Sequence, residues 1–196
     1  MNPCTRFSLE LPGWAIKALD GMPTFMPTIE ERMAAVIDFS RLNFQNDTGG
    51  PFAAGVFEQD SGRLITIAVN RVVPSNCSSA HAEIMALSLA QQRLGIYDLG
   101  SSALPAHQLV VNWRPCSMCF GAVLWSGISS LAVAGSDQQM EEITGFDEGP
   151  LPPQWQHELE SRGIEVVEDI LAREAINVFR EFAASQPFIY NARLGS

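Results

Sequence analysis

The chain has 196 residues, 46% hydrophobic and 17% charged, which suits one domain with a substantial core; no apolar run reaches the roughly 18 residues of a membrane span. Its formal net charge is −10, and among its cationic residues only Lys17 is a lysine and no two are adjacent. Holding a nucleic-acid backbone takes a basic patch that displaces counterions, so the composition argues against nucleic acid and favours a small substrate. In chain order, residues 1–27 are rich in Pro and Gly and read as an irregular N-terminal arm. Their opening, MNPCTRFSLELPG, lacks a basic head followed by an apolar stretch, so a cytoplasmic setting is expected. Thr28 and Glu31 in TIEE form a capping box for a helix over 29–45, whose apolar stripe is Met33, Val36, Ile37, Phe39 and Leu42. PFAAGVFEQDSGRLITIAVN reads as strands near 52–59 and 63–70 joined by a turn at Asp60-Ser61-Gly62. A helix over 80–94 is closed by Gly95. A strand at 108–112 precedes a helix over 116–125 closed by Gly127. A buried strand at 128–135, an acidic Gly/Pro-rich connection with a short helix, a strand at 164–169, a helix over 170–185 and a tail from 186 complete the chain. Strands alternating with helices after a hairpin predict a mixed sheet with helices on both faces.

Chemistry concentrates in PCSMCFGAVLWSG, where Cys116 and Cys119 are separated by two residues. Four cysteines are too sparse for a disulfide framework. Alone, C-x-x-C leaves a structural zinc, a redox pair, a catalytic metal site and plain packing open. A closed structural zinc needs four protein ligands, and neither Cys4 nor Cys77 has a partner at short spacing. A thioredoxin-like pair belongs after the first strand of a βαβ unit, and this one follows the third strand. Upstream, His81-Ala82-Glu83 opens the 80–94 helix. One imidazole and two thiolates make three zinc ligands with the fourth position left for water. Cys116 and Cys119, at i and i+3, share a helix face. Glu83, two residues from His81, is placed to move protons without ligating. H-x-E followed by P-C-x-x-C is the zinc deaminase signature.

On these residues the chain resembles the cytidine deaminase-like superfamily of zinc hydrolases, over roughly residues 28–185. The resemblance implies a three-layer α/β/α fold with a mixed five-stranded sheet, one zinc per subunit on His81, Cys116 and Cys119, and Glu83 as proton shuttle. The core motif is shared by tRNA-adenosine and guanine branches. GGPFAAGVFEQDSG, NRVVPSNCSSAHAEIMALSLAQ, GFDEGP and IYNA resemble the guanine-deaminating branch. That resemblance implies hydrolysis of guanine to xanthine and ammonia, with aminated s-triazines as related substrates. It implies that Asn70 hydrogen-bonds the purine, that Phe52 lies beside it, that main-chain groups near Ala82 read its edge, and that Glu148 assists proton transfer to the leaving amine. It also implies a homodimer, with Tyr190 in a tail (186–196) that crosses to the partner subunit. Each residue has a plainer reading: a strand-end turn for Asn70, core for Phe52, a solvated acidic loop for Glu148, a tail anchor for Tyr190. Cys77 is read as structural or incidental. The chain departs from the family at Trp113-Arg114, where Glu commonly precedes the Pro-Cys pair, so Arg114 is expected to change the local electrostatics or to pair with a carboxylate. The competing expectations are a tRNA-adenosine or cytidine deaminase, disfavoured by the acidic charge, and an inactive zinc-binding interaction module, disfavoured by Glu83.

Overall fold

A computed structural model describes residues 5–193. The elements run α1 (Gly13–Asp20), α2 (Ile29–Gln45), β1 (Ala53–Glu58), β2 (Leu64–Val69), α3 (Ala82–Leu94), β3 (His107–Val111), α4 (Ser117–Ser126), β4 (Ser130–Val133), α5 (Gln139–Thr144), α6 (Trp155–Glu160), β5 (Glu165–Val167) and α7 (Ala172–Ala184). The sheet order is β2-β1-β3-β4-β5. β1 is antiparallel to both β2 and β3, and β3, β4 and β5 are parallel. β2 and β3 therefore point the same way, and the helices that follow them, α3 and α4, begin at the same edge of the sheet.

Alternation along the strands splits the core into two faces. Ala53, Ile67, Val69, Val110 and Ala132 pack with residues of α1, α2, α5 and α7. Ala54, Val56, Ile65, Ala68, Leu109, Val111, Leu131 and Val133 pack with α3, α4 and α6. The result is the expected α/β/α arrangement. Fully buried side chains such as Phe57 and Phe179 each stabilise it by about 1.5–3 kcal/mol.

Local signals explain the boundaries. Thr28 accepts from the Glu31 amide at 3.2 Å and its own amide donates to the Glu31 carboxylate at 3.0 Å, completing the box. The buried face of α2 differs from the expected stripe: it carries Met33, Val36, Ile37 and Phe39 but also Ser40 and Asn43, whereas Leu42 is 37% exposed. Gly127 ends α4 at φ 80, and a side chain there would strike the Asp98 carboxylate. Two stretches depart from expectation. The arm expected to be irregular carries α1, whose Ala15 is fully buried against α2 and the sheet. The acidic connection carries α5 as well as α6, because Met140 anchors α5 in the core.

Candidate active site

His81 and Cys116 are the N-caps of α3 and α4, both in extended backbone conformation. Because α3 and α4 start at one edge, their caps meet. The Cys116 Sγ lies 3.5 Å from the His81 Nδ1 and accepts from the Cys119 amide, also at 3.5 Å. One ligand atom from each of His81, Cys116 and Cys119 falls within 4.8 Å of the other two. Tetrahedral zinc, with sulfur at about 2.3 Å and nitrogen at about 2.0–2.1 Å, separates sulfur from nitrogen by about 3.6 Å. The donor set and its spacing therefore fit that ion. Cys77 stands apart, half-buried with its thiol 3.2 Å from the Ser79 hydroxyl.

The electrostatics of the cradle follow from its burial. The bond with Cys119 leads the causes that hold the Cys116 thiol down at about 4, against the cost of burial; His81 adds to it. Burial alone would depress His81, but Cys116, Glu83 and Glu148 overcome it and push the imidazole up to about 9. Cys119 is pushed well above the usual thiol range by its bond with Cys116 and by burial. Glu83 is 6% exposed, and burial followed by the Cys116 charge raises its carboxyl. Burial likewise raises Glu148, to about 8, with Cys116, Glu83 and Glu141 adding to it.

A cavity of ≈ 890 Å³ opens over the cradle. His81, Glu83, Cys116, Glu148, Asn70, Phe52 and Tyr190 all line it. Glu148 is tied to the cradle through its carbonyl, which accepts from the Ser117 amide at 3.1 Å. The Asn70 Oδ1 accepts from the Val72 amide at 3.2 Å, and among the described residues its Nδ2 has no partner, leaving a donor for a ligand. Phe52 packs edge-on against Phe146 at 5.2 Å and tilted against Phe179 at 5.6 Å, so it belongs to both wall and core. Ala82 is fully buried and does not line the cavity with its side chain. The His81 side chain makes no capping bond to α3, and the Glu83 amide bonds its own carboxylate. Tyr190 lines the cavity and is 38% exposed. The neighbouring Asn191 accepts from the Asp147 amide at 2.9 Å and donates to the Gly145 carbonyl at 2.8 Å, so the tail lies on its own chain here. Tail residues 194–196 lie outside the described residues, as does Cys4.

Further residues complete the site. Trp113 and Phe146 complete the aromatic wall, with Trp113 edge-on to Phe179 and Phe146 stacked on Phe182. Arg114 pairs with Glu141 of α5, so the unusual Trp-Arg before Pro115 does meet a carboxylate. Both side chains are largely buried, at 12% and 20% exposure. Asn43 does carry a signal in the sequence: a polar side chain on the buried face of α2, one turn beyond Phe39.

The chain matches the family described as the cytidine and deoxycytidylate deaminase zinc-binding region over residues 26–134. The solved guanine deaminase of Nitrosomonas europaea is 46% identical, covering 94% of this chain and 100% of that one with a TM-score of 0.87. A solved variant in complex with 8-azaguanine is 47% identical over 92% of this chain and 98% of its own, also with a TM-score of 0.87. The guanine deaminase of Bacillus subtilis is 34% identical over 100 residues, 51% of this chain and 59% of that protein.

Proposed function

We propose that this chain, which belongs to the cytidine and deoxycytidylate deaminase zinc-binding family, hydrolyses guanine to xanthine and ammonia. The observation that carries the substrate is the near-complete mutual coverage with a guanine deaminase at 46% identity. The cavity supports it chemically, since an open donor, two buried acids and an aromatic wall converge over the cradle.

His81, Cys116 and Cys119 hold the metal in this reading. When bound, zinc supplies the Lewis acidity that makes a water acidic near neutral pH. Glu83 takes the proton from the attacking water and delivers it to ring N3 as oxygen bonds to C2. The C2–N bond then breaks. The amine leaves as ammonia with the hydroxyl proton, which Glu83 and Glu148 carry between them. Burial raises the Glu148 carboxyl, which favours its protonated form and suits it to that relay. Asn70 offers its Nδ2–H to the base edge, first-turn amides beside Ala82 read the same edge, and Phe52 packs on the ring. Tyr190 narrows the mouth. An aminated s-triazine reproduces the pyrimidine half of guanine and is a related substrate.

The setting belongs to the same reading: a cytoplasmic enzyme and a homodimer. Among the described residues no helix is long and apolar enough to cross a membrane. On α4 the Trp125 side chain is 88% exposed, an apolar surface that supports self-association. An ammonia-release panel on zinc-loaded protein tests the activity: guanine is turned over, and adenine, cytidine and tRNA are not. Faster release from cytidine or tRNA overturns the assignment.

A further inference from the structure

We propose that two buried asparagines, Asn43 and Asn112, are positioning residues that hold the substrate-recognition wall in place. The inference rests on the nucleobase deaminase reading above and extends it to residues that do not themselves touch the base. Both side chains are completely buried. Asn43, from α2, spends both hydrogens of its Nδ2 on backbone carbonyls: Gly50 at 2.8 Å and Asn70 at 2.9 Å. Asn112, just beyond β3, donates from Nδ2 to the Pro51 carbonyl and accepts from the Ala53 amide on Oδ1, each at 3.0 Å.

The two amides thus hold segment 50–53 at three successive points, Gly50, Pro51 and Ala53. Asn112 brackets Phe52 by its two neighbours, and Asn43 ties the turn before Phe52 to the carbonyl of Asn70. The Asn70 amide closes the circuit by donating to the Phe52 carbonyl at 3.0 Å. The recognition donor and the aromatic wall are therefore fixed to each other through buried bonds. Gly49 is what permits this approach. Its φ is +152, and a side chain there would meet the Asn70 carbonyl and the Asn43 amide.

A third layer sets the orientation of Asn43. The Thr48 hydroxyl accepts from the Trp14 indole Nε1 at 2.8 Å and shares its one hydrogen between the Asn43 Oδ1 at 2.8 Å and the Asn43 carbonyl at 3.0 Å. With Oδ1 committed to Thr48, Nδ2 must face the two carbonyls. Trp14 belongs to α1, so the N-terminal arm reaches the base-recognition wall through one hydroxyl. Losing such a bond leaves a buried group unpaired and frees the residue that it aimed.

The test separates positioning from mere stability. Affinity for 8-azaguanine, KM, kcat, zinc content and melting temperature are measured for Asn43→Ala, Asn112→Ala, Thr48→Val, Thr48→Ser and the distant core variant Leu159→Ala. For Asn43→Ala and Asn112→Ala, Kd and KM are expected to rise roughly tenfold with kcat within about threefold and zinc retained. Thr48→Val moves the same way, and Thr48→Ser, which keeps the hydroxyl, restores wild-type values. Leu159→Ala lowers the melting temperature and leaves Kd unchanged. Because Thr48 is only partly buried, its pair of variants keeps the test alive should either asparagine variant fail to fold. Wild-type Kd and KM in the folded variants overturn the proposal, as does Leu159→Ala raising Kd equally. Should the wild type prefer another aminated ring over guanine, the guanine reading falls alone and the same ratios are read on that ring.

Discussion

The two sides of the cavity are built on different principles. The metal cradle comes from two helix starts: His81 caps α3, Cys116 caps α4, and Cys119 follows one turn on. Each piece is local, and only the parallel alignment of β2 and β3 is needed to bring the pieces together. The opposite wall draws Phe52, Asn70, Phe146 and Tyr190 from four separate segments, with buried amides and an aromatic cluster joining them. A cradle of this kind tolerates change in its surroundings but no change in its ligands. The wall should respond to many substitutions, each modestly.

The largest effect is expected at the cradle's edge. Glu83→Gln keeps the shape and removes the proposed base, so kcat should fall by about 10³-fold, within the range of general acid–base catalysis. Zinc content by metal analysis should stay at one per chain. Retained turnover would refute the proton role.

The next effect comes from the cradle's own charges. Without metal at pH 7, His81, pushed up to about 9, carries a proton, Cys119 is a thiol, and Cys116, held near 4, is already a thiolate. Zinc must displace the first two protons and none from Cys116. Between pH 7 and 8 zinc affinity should therefore rise with pH by about a hundredfold per unit, and weaken equally as pH falls. Calorimetry in buffers of different ionisation enthalpy counts the protons directly. A release of one or none contradicts the charge distribution.

Between cradle and wall lies Arg114, whose ion pair with Glu141 holds α5 against the β3–α4 loop that carries Pro115. Arg114→Leu leaves a carboxylate buried with its charge uncompensated and should cost about 3 kcal/mol of stability. Urea unfolding at saturating zinc measures it. The double variant with Glu141→Leu should recover most of the loss, because no charge is then stranded.

This division also explains how much the residue order reveals by itself. H-A-E and P-C-x-x-C are spacings within one or two helical turns, so the His81, Cys116 and Cys119 cluster that the fold gathers is legible from the sequence alone. The strand–helix alternation carries the sheet and its two helical faces. Tertiary partners leave no such trace. Arg114 invites a carboxylate, but only the fold selects Glu141 among an acid-rich stretch. α1 is hidden because its Pro- and Gly-rich surroundings mask a short helix whose stability comes from packing Ala15 on the core. Asn43 is visible in principle, as a polar residue interrupting a buried stripe, yet its partners Gly50 and Asn70 lie beyond the reach of helical periodicity.

The smallest effect is expected at Phe146, and it is the sharpest measure of how the wall works. Phe146 meets Phe52 edge-on at 5.2 Å and stacks on Phe182 at 5.7 Å, so it braces the ring proposed to lie on the base. Aromatic contacts of this kind are worth about 0.5–1.5 kcal/mol each. Phe146→Ala removes both, and KM for guanine should rise about tenfold, since about 1.4 kcal/mol is one decade. The cradle is untouched, so kcat should change by less than about threefold and the pH dependence of zinc binding should not move. Phe146→Leu, which refills most of the volume without the ring, should fall between the two. A drop in kcat as large as the rise in KM would mean that wall and cradle are one cooperative unit, and the contrast between the two sides of the cavity would fail.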